Sequence, residues 1–176
     1  CIVLQNGNIS FKGDPSYAIR NYLFNNTSKG YYLANIGEKF IEKDAYFEEI
    51  YLVDDQGKAR TEYFYNETIY ILFKLKINRN KAKYSVFCTF LDDELNRIFS
   101  AESDDLDNQM KLKIEPKFLT RGEYSLHAFI HIPQIKQEDI AFNICQFTII
   151  DNGSKFSQHG NYDYGSVFGQ CKWLKN

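Results

Sequence analysis

The chain has 176 residues, a formal charge of −2 and 44% apolar residues, with 15 Phe, 13 Tyr and 1 Trp. This is enough for one cored domain plus an appendage, and the balanced charge excludes a dedicated nucleic-acid binder, which needs a basic face. Three prolines and no low-complexity tract exclude extended disorder outside the ends and a linker.

The first residues read as a hairpin. Cys1–Gln5 and Asn8–Lys12 are short runs joined by Asn6-Gly7, the strongest short-range hairpin signal because both turn positions require positive φ. Gly13-Asp14-Pro15 then opens a predicted helix, with Asp14 as cap and Pro15 at a first position where its missing N–H is harmless. Pro15, Ala18, Ile19, Tyr22 and Leu23 form its apolar stripe. A hairpin and helix this small hold no core. Standing before an all-β body, they look like the end of another domain, which makes 1–25 a domain remnant, 26–43 a polar linker and 44–176 the main domain.

Eight strands are expected after the linker. Ala45–Val53 alternates, with Tyr46, Glu48, Ile50 and Leu52 on one face and Phe47, Glu49, Tyr51 and Val53 on the other. Thr68–Ile77 places Ile69, Ile71, Phe73, Leu75 and Ile77 opposite Tyr70, Leu72, Lys74 and Lys76, the pattern of a half-buried antiparallel strand. Tyr84–Leu91, Arg97–Ala101, Gln109–Ile114, Gly122–Ile132 and Asp139–Ile150 follow, and Tyr162–Lys175 is the last. Turn-spaced strands without intervening helices predict an antiparallel β-sandwich of jelly-roll or immunoglobulin-like type.

The four cysteines are widely spaced, without a CxxC pair or histidines at metal spacing, and read as reduced thiols. No apolar run is long enough to span a bilayer, and no signal peptide is visible. The local basic run at Lys74, Lys76, Arg79, Lys81 and Lys83 fits a solvated strand end. The acidic stretch Glu102–Asp107 has carboxylates for Ca²⁺ but lacks the EF-hand glycine and terminal glutamate, and a solvated loop accounts for it. No Walker A motif, G-x-S-x-G elbow, H-E-x-x-H or G-x-G-x-x-G occurs. No carboxylate pair stands out for glycoside hydrolysis.

Strand parity sorts the remaining side chains. With Tyr124, Leu126, Ala128 and Ile130 inward, Ser125, His127, Phe129 and His131 face outward. With Val86, Cys88 and Phe90 inward, Ser85, Phe87 and Thr89 face outward. In Asp139–Ile150, Ile140, Phe142 and Ile144 are expected in the core, which turns Asn143 and Cys145 out. His127, Phe129, His131, Phe87, Ser85 and Asn143 then form a face that is both aromatic and polar. Aromatic faces stack on the C–H face of a pyranose, and planar polar groups bond vicinal hydroxyls. A rigid sheet holds both in place before binding. The bland alternatives are an ordinary exposed histidine pair and phenylalanines packed under a loop or a second subunit.

The order of the pieces carries a resemblance. "IVLQNGNISFKGDPSYAIRNYL" is similar to the closing hairpin and helix of polysaccharide-exporting ABC-transporter ATPase domains. "AYFEEIYLVDDQGKARTEYFYNETIYILFKLKI", "FLTRGEYSLHAFI" and "FTIIDNG" resemble the C-terminal domain of the Wzt family, the ATPase subunits of O-antigen exporters. The resemblance implies a cytoplasmic β-sandwich at the inner face of the inner membrane, within lipopolysaccharide biosynthesis. It would bind the O-antigen polysaccharide as export substrate, without catalysis. Its implied partners are the glycan, the exporter's transmembrane subunit and a second copy, reached by exchange of the C-terminal strand. No cofactor is implied, ATP belonging to the ATPase domain. A structural dimerisation module without glycan binding is the rival reading, and a glycan-processing enzyme a more distant one.

Overall fold

The computed structural model describes residues 1–5, 8–13, 15, 30–34, 42–79 and 83–175. Strands β1 (Ile2–Gln5) and β2 (Asn8–Lys12) pair antiparallel in the expected hairpin. The predicted helix lies outside the described residues apart from Pro15.

The body is a two-layer antiparallel sandwich. One sheet contains β3 (Tyr31–Leu33), β4 (Ala45–Val53), β6 (Ile69–Ile77) and β9 (Gln109–Ile114), in that spatial order. The other is ordered β5 (Glu62–Phe64), β11 (Lys136–Ile150), β10 (Gly122–Ile132), β7 (Ser85–Leu91), β8 (Arg97–Glu102). Short β5 runs parallel to β11, and every other ladder is antiparallel.

Alternation builds the core. Phe47, Ile50, Leu52 and Ile71 from the four-stranded sheet meet Tyr63, Phe90, Leu126 and Ile130 from the five-stranded sheet, all fully buried. Each such side chain contributes about 1.5–3 kcal/mol of burial free energy. In β4 the expected two faces do not persist along the strand. A register shift between Phe47 and Glu49 lets Phe47 share the interior with Ile50 and Leu52, while Glu48 and Glu49 stay half-exposed.

Two short strands escape period-two reading. β3 comes from the segment expected to be linker, and Gly30 just before it ties the two sheets together. Gly30 N–H donates to the Gln146 carbonyl (3.0 Å), and its own carbonyl accepts from Leu52 N–H (3.1 Å). Its φ of 69° and a Cβ position only 2.4 Å from Thr61 Cγ2 leave no room for a side chain. β5 is held by one fully buried residue, Tyr63.

The expected final strand, Tyr162–Lys175, is not formed. Gly160 and Gly165 have positive φ and turn the chain. Residues 151–168 instead fold back as a lobe in which Phe156 stacks on Tyr164 and Phe168. Leu119 and Val167 form an isolated bridge, and Tyr124 Oη reaches the Thr120 (2.9 Å) and Ser166 (3.1 Å) carbonyls. Residues 169–175 are exposed throughout.

A charged clasp fastens the start of β4 to the start of β11. Buried Asp139 accepts from Lys43 Nζ (2.6 Å) and Phe47 N–H (2.8 Å), and Glu138 accepts from Asp44 N–H (2.6 Å). Tyr84 Oη donates to the Asp44 carboxylate at 2.9 Å, which holds that carboxyl below its ordinary range. Asp139→Ala should leave the buried Phe47 N–H without its acceptor and lower stability by about 2–4 kcal/mol. Chemical denaturation checks this as a lower midpoint at unchanged slope.

Candidate functional site

The outer face of the five-stranded sheet is a grid set by register. Across the strands, Ile140 of β11 opposes Phe129 of β10, Phe129 opposes Phe87 of β7, and Phe87 opposes Glu102 of β8. On one side of this row, His131 pairs with Ser85, and on the other, His127 pairs with Thr89, which pairs with Ser100. The side chains touch as the register requires. Phe87 and Phe129 centroids are 6.1 Å apart, Phe87 and His131 5.5 Å, and His127 and Phe129 6.4 Å. The parity expected for β10 and β7 holds, and the structure brings His127, Phe129, His131 and Phe87 together on one surface.

For β11 the expected parity fails. Ile140 and Phe142 were expected in the core and lie outside, 38% and 59% exposed. Cys145 was expected outside and is fully buried, its thiol donating to the Ile50 carbonyl (3.3 Å). The inward residues of β11 are the odd-numbered Asp139, Ala141, Cys145, Phe147 and Ile149, and Ile144 is the one even-numbered residue among them, so an expectation built on Ile144 runs in the wrong phase. Ile144 turns inward between two bulges: between Tyr124↔Phe147 and Leu126↔Ile144, and again between Leu126↔Ile144 and Ala128↔Ala141, β11 spends one residue more than β10. Each extra residue reverses the alternation beyond it, so the two cancel on either side. Cys145 (φ 54°) and Asn143 (φ 49°) take the left-handed conformations that make this possible, at about 1–3 kcal/mol each.

Phe142 completes the face, edge-on to His127 at 4.9 Å and to Phe129 at 5.7 Å. At the second bulge the Asn143 N–H is directed to His127 Nδ1 at 2.8 Å. With Nδ1 accepting, the imidazole proton sits on Nε2. Burial holds the His127 pKa below its ordinary 6.5, so the ring is a neutral donor among aromatic rings. Asn143 therefore acts here through its backbone. Phe142 is the residue that sequence reasoning missed, since the pattern Ile-Ala-Phe-Asn-Ile-Cys puts the largest apolar side chains at the even positions and so suggests the wrong phase.

The far end of the row is acidic. Glu102, expected in a loop, closes β8 on the same face as Phe87. Ser85 Oγ donates to Glu102 Oε1 (2.7 Å), and His131 Nε2 lies 2.9 Å from the same oxygen. The Ser85 bond, ahead of the contact with His131, keeps this carboxyl below its ordinary range. Ser85 is buried, so it orients Glu102 rather than meeting a ligand itself. Ser125, next along β10, is fully buried and marks where the open surface ends. From β11 to β8 the face crosses three strand spacings, roughly 14 Å.

The opposite outer face differs. Lys74 is paired with Glu49 at 2.8 Å, and Lys111 lies 3.7 Å over the Tyr70 ring, so its polar groups satisfy one another. Among the described residues no group of three or more His, Cys, Asp or Glu side chains is placed to hold a metal, the acidic stretch after β8 included. All four cysteines are free thiols, with Cys88 and Cys145 buried and the Cys88 pKa pushed up to about 12 by burial. No helix among them is long and apolar enough to cross a membrane.

The His127 geometry has a pH signature. Because its folded pKa lies below 6.5, the unfolded chain binds more protons in that window, and stability should fall as pH drops through and below about 6.5. Imidazole ¹⁵N NMR should show the Nε2–H tautomer at neutral pH and a midpoint below 6.5 for His127. Its replacement by Gln should remove that share of the pH dependence.

The model of the Wzt C-terminal domain matches residues 38–164. A crystal structure of the C-terminal domain of wzt superposes with a TM-score of 0.58 at 10% identity, covering 77% of this chain and 86% of that one. Two β-glucuronidases also align. The Bifidobacterium dentium enzyme complexed with coumarin-3-O-glucuronide gives a TM-score of 0.41 at 15% identity over 61% of this chain and 18% of that one. The Parabacteroides merdae enzyme gives 0.40 at 14% identity over 60% and 14%. These two similarities are too low to bear on function. A search of curated protein sequences gives no match. The family match spans most of the sandwich, and the fold likeness extends over three quarters of the chain: this chain belongs to the Wzt C-terminal domain family.

Proposed function

We propose that this chain is the glycan-recognising part of an O-antigen ABC exporter, a non-catalytic domain that binds the polysaccharide on the outer face of its five-stranded sheet. The observation that carries this reading is the contiguous surface of Phe142, Phe129, Phe87, His127 and His131 with Glu102 at its edge. An exposed apolar patch rimmed by polar groups marks an interaction surface. Here the apolar part consists of ring faces and edges, suited to the weakly positive C–H face of a sugar. The polar part supplies one donor, His127 Nε2–H, and one acceptor, the Glu102 carboxylate. A span of roughly 14 Å suits a short oligosaccharide rather than one ring. Family membership supports the placement in an exporter, with the ATPase domain preceding residue 26, the transmembrane subunit as partner and the cytoplasmic face of the inner membrane as location.

Single sugar sites bind weakly, since water competes for every hydroxyl, so two linked sites gain by avidity. A second copy would provide them. Residues 169–175 favour this, because they lie exposed with Trp173 fully so and Leu174 85% so, two large apolar side chains for which the exchanged position on a partner is a natural place.

Phe142→Ala removes an exposed ring and should leave the fold intact. Titration calorimetry with delipidated O-antigen from the producing strain should show about tenfold weaker binding, and unchanged affinity would remove this face from the site. Light scattering after chromatography should give a dimer for the chain and a monomer once residues 169–176 are deleted. A dimer that survives the deletion contradicts exchange of this segment.

A further inference from the structure

Resting on the reading of this face as a glycan surface, we infer that Glu102 makes it selective for sugars that carry a protonated amine. Both donors on Glu102 converge on one oxygen. Ser85 Oγ and His131 Nε2 approach Oε1, while Oε2 has no protein partner among the described residues. The carboxylate is thus fixed in orientation and half unsatisfied. It also lacks a fixed cation. No Lys or Arg lies within ion-pair distance of it among the described residues, whereas Asp44, Glu49, Glu67, Glu115, Glu138 and Asp139 each have one.

Its surroundings complete a cation site. Glu102 stands directly across from Phe87, whose ring also contacts Phe129 and His131. A ring face attracts a cation through its quadrupole, and a neighbouring carboxylate adds the attraction of its charge. A hydroxyl gains one neutral hydrogen bond from Oε2. An ammonium gains that bond, the charge and the ring together. A carboxylate-bearing sugar would meet like charge instead. The class that fits is a neutral or basic glycan with a free amino group, its sugar ring lying over Phe87 and Phe129.

Three probes separate charge from shape: methyl 6-amino-6-deoxyglucoside, its N-acetyl derivative and the parent methyl glucoside. Amide-shift titration of the full chain at neutral pH and low salt should place the amine's largest shifts at Phe87, Glu102 and Phe129. Its affinity should be about fivefold or more above that of the acetamide. Added salt should erode that advantage. Glu102→Gln keeps the shape and an acceptor for Ser85, and should abolish the difference while leaving amides of the opposite sheet unmoved. Equal affinity for amine and acetamide, an advantage that persists in E102Q, or absence of shifts from all three probes would each overturn the inference. The reading of the face itself stands or falls separately, on whether the O-antigen polysaccharide binds and Phe142→Ala weakens it.

Discussion

The pairing of β10 with a bulged β11 decides which side chains of this sandwich meet solvent. β10 runs with unbroken alternation, Tyr124, Leu126, Ala128 and Ile130 inward. β11 cannot follow it residue for residue, because it spends one extra residue at Cys145-Gln146, another at Phe142-Asn143 and a third at Glu138. The first two sites place a non-glycine residue at positive φ, a local cost of about 1–3 kcal/mol. Specific contacts offset it. Cys145 gains full burial and a bond to the Ile50 carbonyl of the facing sheet. The N–H freed at Asn143 is taken up by His127. Strain at these two points is thereby turned into a buried thiol contact and a fixed imidazole tautomer.

The setting of His127 depends on that arrangement. In an unbulged strand the alternation set by Cys145, Phe147 and Ile149 would still turn Phe142 outward, but it would put Asn143 in the core in place of Ile144, and His127 would lose the partner that orients it. The charged clasp at Glu138 and Asp139 lies on the same strand, a few residues before the bulge, and ties it to the segment that leads into β4. Strand β11 therefore carries both the anchor to the incoming chain and part of the surface assigned to the glycan. A rigid, pre-ordered face suits a ligand whose single contacts are weak, because little ordering remains to oppose binding.

Period-two alternation made most of the fold legible. The limits of β4, β9 and β10 follow from it directly, and those of β6, β7 and β8 to within a residue. The outward set His127, Phe129, His131 and Phe87 follows from the same rule because β10 and β7 are unbroken. What escaped has physical causes. β3 and β5 are three residues each, too short for a period, and rest on Gly30 and Tyr63. The bulges leave no compositional mark: Asn143 tolerates left-handed φ, but Cys145 gives no such hint. Phe142 and Ile140 are read one face away from where they lie because the expected phase includes Ile144, the one even-numbered residue of β11 that is turned inward. Glu102 looked like the start of an acidic loop because its role comes from Ser85 and His131, which are distant in sequence. The terminal segment 162–175 has the composition of a strand, yet within this chain residues 169–175 are left exposed.

The most direct test of the central claim is a crystal structure of the domain with an oligosaccharide cut from the O-antigen it serves. The account places sugar rings against Phe142, Phe129 and Phe87, with hydroxyl or amino groups at His127 Nε2 and Glu102. Density over Tyr70 and Lys111 on the opposite sheet, or Phe142 and Phe129 sealed beneath a second subunit with no sugar bound, would contradict it.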